Sequence, residues 1–180
     1  MNLPRMKIDP RNAVEAAPLA IFLALSLGGQ DPQVAGWAGC GLAAALLVGF
    51  VATRQPLHPV LLGVNLYLLI AAPVIGASLV AGFAESGRFL QAHAEQGVLA
   101  MILLTGIGLT FLSKQGFLGE PDVPWEIRWR FSLLMLICIS GLIPLSLQLR
   151  GLPVVPVAGP IIIMFMLRDY LAGQVPKPKE

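Results

Sequence analysis

Residues Gln55–Ala84 read QPLHPVLLGVNLYLLIAAPVIGASLVAGFA and contain no Asp, Glu, Lys or Arg. An α-helix needs about 20 apolar residues to cross a bilayer core, and this run exceeds that. On either side lie the uncharged runs Ala16–Gln30, Pro32–Thr53, Gln96–Ser113, Phe131–Leu149 and Gly151–Leu167. None alternates with the period of two that a membrane barrel requires. A span in hydrocarbon has no water to satisfy its peptide groups, so each must bond internally as a helix. The expected fold is therefore all-α: a polytopic membrane protein built as a bundle of six transmembrane helices. The spans are expected at about 16–30, 32–53, 57–83, 96–113, 131–149 and 152–170. They form one integral membrane domain over 1–180, with an outer connector at 84–95 and a cytoplasmic loop at 114–130.

Composition points the same way. Of the 180 residues, 56% are hydrophobic and 12% charged, where soluble domains carry about 25% charged residues. A soluble chain this short has too much surface for its volume to hide that many apolar groups. The net charge of +2 comes without a basic stripe, which excludes a nucleic-acid partner. Cys40 and Cys138 fall inside apolar runs, where a free thiol packs as a small hydrophobe. No CxxC or Cys/His cluster suggests a metal.

Basic residues set the expected orientation. With the N-terminus in the cytoplasm and six crossings, Arg5, Lys7, Arg11, Arg54, Lys114, Arg128, Arg130, Arg168, Lys177 and Lys179 face the cytoplasm. Arg88 and Arg150 alone face out. Both termini are then cytoplasmic. The first span has features of a signal peptide: the basic lead Arg5, Lys7 and Arg11, and an apolar core from Leu19 to Leu27. Glu15 and Pro18 interrupt its start and no Ala-x-Ala site follows; a retained helix is expected.

Polar residues within or beside the spans are the candidates for chemistry. Asn65 shares a stripe with Leu69, Ala72 and Gly76 at helical spacing. That places the amide against another helix, as an interhelix hydrogen bond or as part of a polar path. Pro73 is expected to kink the same helix. In the second span, Gly41, Ala45 and Gly49 at four-residue spacing read as a packing stripe. Between the third and fourth spans, a short helix would set Glu85 near Arg88 and Gln91 near Glu95. His93 and Glu95, two residues apart, point to different faces. Asp122 is expected to cap a short surface helix carrying Trp125 and Trp129 on one face. Trp37, Trp125 and Trp129 are the expected interfacial anchors. Pro153, Pro156 and Pro160 should make the start of the sixth span irregular.

No phosphate loop, HExxH or GxSxG occurs. The two histidines lie near opposite membrane faces, which argues against a bis-histidine haem. No catalytic residue, metal or cofactor is assigned. The expected partners are the lipid bilayer and a second copy or another membrane protein, and the expected compartment is a bacterial inner membrane. A non-catalytic accessory or assembly subunit ranks first. A small transporter with a path near Asn65 and the proline-rich sixth span ranks second. A lipid-acting enzyme drawing on Glu85, Arg88, His93 and Glu95 ranks third.

Overall fold

The computed structural model describes residues 10–55, 57–120, 123–149 and 155–175. They form seven helices: α1 (Pro10–Leu27), α2 (Pro32–Thr53), α3 (Pro59–Val80), α4 (Ala84–Ala92), α5 (Ala94–Leu112), α6 (Trp125–Gln148) and α7 (Val155–Gly173). Five of them, α2, α3, α5, α6 and α7, are long and apolar enough to cross a membrane. α1, expected as a sixth span, does not meet that test. Its first turns carry Arg11 and Glu15, although Glu15, Pro18 and Leu19 are buried in the bundle.

Local chemistry sets the helix ends. Asp31 accepts the Gln33 N–H at 2.8 Å, and Pro32 follows in the first position of α2, where no N–H is needed. Pro59 opens α3 in the same way. The helix then runs through Pro73 to Val80 without a break. Pro156 falls in the first turn of α7, so the described part of that element is a continuous helix rather than an irregular entrance. Pro153 lies outside the described residues. Pro160 lies within the same helix. The separate surface helix expected over Trp125–Arg130 is instead the first turns of α6, which Pro124 precedes at the N-cap; Asp122 lies outside the described residues.

α3 is the hub, packing on α1, α2, α4, α5 and α7. A Cβ on Gly63 would lie 2.7 Å from the Ile102 Cα, so only a glycine lets α3 and α5 approach this closely. The core joins Val60, Val64 and Leu68 of α3 to Leu99 and Ile102 of α5, Met135 and Ile139 of α6, and Met164 of α7. The buried residues of α3 all fall between Pro59 and Leu68. Its second half is packed less closely, and that half faces the end of the bundle where α4 lies.

The inward face of α2 differs from expectation. Ala35, Gly39, Cys40 and Ala43 are buried, while Gly41, Ala45 and Gly49 are exposed. A Cβ at Gly41 or Gly49 would meet nothing within 4 Å. Small residues recur on two faces of this helix, and the tertiary fit selects the other one.

Candidate functional site: a buried polar cluster at the loop end

The α5–α6 loop and the α2–α3 connector mark one end of the bundle, and α4 marks the other. At the loop end the apolar interior is interrupted by an acid, an imidazole and an amide. α1 places Arg11 and Glu15 one turn apart, where they pair at 3.2 Å. The Glu15 side chain is 1% exposed. A carboxylate removed from water is costly unless charge and hydrogen bonds replace its hydration. Here Oε1 takes Arg11, and Oε2 accepts the backbone N–H of His58 at 2.7 Å. His58 caps α3, whose first-turn N–H groups have no helical acceptor. A carboxylate at that position is favoured by the helix dipole as well as by the hydrogen bond. The Glu15 backbone carbonyl accepts Asn65 Nδ2 at 3.1 Å. α1 is thus held to α3 at two heights.

α7 closes the other side. The His58 ring stacks on Phe165, with centroids 4.2 Å apart. The Arg168 guanidinium lies on the same side of the cluster. Arg168 donates to Leu118 O at 3.0 Å, Glu120 at 2.8 Å and Asp169 at 3.1 Å, fastening α7 to the loop. Phe117 and Leu118 are fully buried as plugs, and the Phe117 N–H donates to Ser132 Oγ at 3.0 Å. Arg128 donates to the Lys114 carbonyl, tying α6 to the same loop.

The chemistry of this cluster is that of a clamp. Both Glu15 oxygens are engaged, and no group of three metal-capable side chains occurs among the described residues. His58 Nδ1 and Nε2 and Asn65 Oδ1 are buried without a hydrogen-bond partner. Such atoms normally cost about 1–3 kcal/mol each.

The α4 end is different. Two apolar cavities, of about 240 Å³ and about 390 Å³, flank α3 there. Ala72 and Gly76 line the smaller one, and Trp37 packs on Gly76. Asn65 lines neither. His93 joins α4 to α5 and lines the larger cavity. Its Nδ1 lies 2.9 Å from Phe89 O. A carbonyl only accepts, so this nitrogen carries the proton. Glu85 and Arg88 are exposed and Glu95 half-buried. Neither the Glu85–Arg88 ion pair nor a Gln91–Glu95 hydrogen bond forms among the described residues, and Glu85, Arg88 and Glu95 line neither cavity. The four residues do not converge in one pocket. Trp37 and Trp125 are exposed, and Trp125 stacks on Trp129 at 5.5 Å. Both cysteines are free; Cys40 is buried against the Leu69 carbonyl.

Sequence reasoning placed Asn65 but missed its partner, and it gave Glu15, His58 and Arg168 no role in a site. The signal was available for His58, an ionisable side chain within the longest uncharged run, flanked by Pro56 and Pro59. Glu15 offered less, because an acid near the start of a span looks like its boundary.

These features define an all-α, multi-pass membrane protein. No known protein family, characterised protein or solved structure matches the chain.

Proposed function

We propose that this chain is a non-catalytic accessory or assembly component of a bacterial inner membrane. Six helices cross the bilayer, α1 included, with the loop end and both termini in the cytoplasm. One observation carries the reading: Asn65, a buried amide within α3, donates to the α1 backbone and lines neither cavity. The strong polar contacts at the loop end join helix to helix and leave no reactive pair directed at a substrate. The basic residues Arg11, Arg54, Lys114, Arg128 and Arg168 gather at that end, in keeping with a cytoplasmic placement. Trp37 anchors the α4 end, and Trp125 and Trp129 the loop end. Glu85, Arg88 and Glu95 offer a mixed-charge surface to the periplasmic part of a partner.

A small transporter is the second reading, favoured by the unpartnered atoms of His58 and Asn65, which a polar path would satisfy. Thiol labelling separates the two. Cysteines are placed singly at positions 65, 69, 72 and 76 in a chain lacking Cys40 and Cys138, and treated with a small polar reagent in sealed vesicles. The accessory reading expects protection at all four. Labelling at 65 or 69 would establish an aqueous path and overturn it. Positions 91 and 120 test orientation: 91 should label from the periplasmic side and 120 from the cytoplasmic side.

A further inference from the structure

The two cavities at the α4 end are separated by one stripe of α3. Tyr67, Ala71 and Ile75 line both, and their four-residue spacing makes them a single ridge along the helix. The ridge divides a smaller hollow facing α2 from a larger one facing α5. A Cβ on Gly97 would lie 2.6 Å from the Tyr67 ring, so a glycine there lets that ring lie against α5 at the base of the ridge.

From Tyr67 to Gly76 the smaller hollow follows ten residues of α3, about 13.5 Å at 1.5 Å per residue. One leaflet of a hydrocarbon core about 30 Å thick has chains about 15 Å deep. The polar lining is concentrated at the α4 end, with Gln33 and Gln91 on the smaller hollow and His93 and Gln96 on the larger. Among the described residues, no Asp, Glu, Lys or Arg lines either one.

We propose that this end seats one two-chain glycerophospholipid astride the Tyr67–Ala71–Ile75 ridge, with one acyl chain in each hollow. The amides of Gln33 and Gln91 stand where ester carbonyls need donors. The absence of a charged lining residue means that selection falls on the chains, and zwitterionic and anionic headgroups bind alike. The lipid belongs to the leaflet that α4 meets. The proposal rests on the helices lying in a bilayer, and not on the accessory role or the orientation. A dry bundle without this lipid, or a lipid site in a transporter, would therefore be told apart.

The test is native mass spectrometry of the full chain. The protein is extracted from vesicles of equal phosphatidylethanolamine and phosphatidylglycerol, and lysophospholipid is added in a parallel sample. The wild type should keep one two-chain lipid through detergent washing, with no preference between headgroups. Ala100→Phe, at an exposed position lining the larger hollow alone, should cut that retention at least ten-fold while lysophospholipid still binds. Ala71→Phe, on the ridge, should abolish both. Thermal unfolding checks that each variant is folded, and Ala100→Phe decides the question if Ala71→Phe is not. Ala45→Phe, exposed on α2 away from both hollows, should change nothing. Absence of retained lipid in the wild type, retention unchanged in Ala100→Phe, or a second protein chain in place of lipid would each overturn the proposal.

Discussion

The two ends of this bundle are built from similar helices and reach opposite solutions. At the loop end, α1, α3, α7 and the α5–α6 loop converge on polar groups that are buried and mostly paired, with Phe117 and Leu118 filling the space between. At the α4 end the same α3 flanks two apolar hollows. Lipid is as apolar as a leucine side chain, so burying a hydrophobe against protein gains little in a membrane; tight packing and polar contacts hold helices together. Where the chain supplies both, the interior between α1, α3 and α7 fills, and the hollow of about 420 Å³ at that end lies outside it, beside Arg54 and Gln115. Beside Ala71 and Ala72 of α3, space is left over.

The sharpest way to break this contrast is at Glu15. Glu15→Leu strips the acceptor from the buried His58 N–H and removes the carboxylate that pairs with Arg11. A loss of about 3 kcal/mol is expected, read as a fall in the thermal midpoint in detergent. A loss below 1 kcal/mol would mean that the cluster does not hold α1. Gly63→Ala comes next. Its Cβ would meet backbone of α5, and forcing the helices apart should cost about 1–3 kcal/mol.

His58 supplies a further test. His58→Phe keeps the backbone bond to Glu15 and deletes two unpartnered nitrogens, so at pH 7 it should be as stable as the wild type or more so. A clear loss at pH 7 would show that the imidazole nitrogens are satisfied in the membrane.

The smallest expected effect is at the hollow end. Ala100→Phe adds a ring where space exists, and the thermal midpoint should shift by no more than about 0.5 kcal/mol equivalent. A cost approaching that of Gly63→Ala would erase the distinction between the two ends.

Much of the framework was legible in the chain because charge-free runs set where helices lie. The α2 limits at Pro32 and Thr53 coincide with the run between Asp31 and Arg54, and the short α4 falls in the polar connector. The inward face of each helix was less legible. Gly41, Ala45 and Gly49 satisfy the same spacing rule as Ala35, Gly39 and Ala43, and only the shape of α3 and α1 chooses between them. The cluster was harder still. Glu15 and His58 are forty-three residues apart, and the bond runs from a side chain to a backbone N–H, which leaves no residue-type signature. Asn65 was legible as either an interhelix donor or part of a polar path, because its amide stands alone in an apolar stripe. Its acceptor, a main-chain carbonyl, could not be read in advance.

The most direct measurement of the contrast is collisional relaxation of single spin labels at positions 62, 72 and 100 in liposomes. The label at 62 sits on α3 near the loop end; those at 72 and 100 line the hollows. Oxygen, which partitions into hydrocarbon, should relax the labels at 72 and 100 strongly and that at 62 weakly, while a water-soluble nickel chelate should reach none. Equal oxygen access at all three positions, or nickel access at 62 or 72, would contradict a bundle closed by polar contacts at one end and open to lipid at the other.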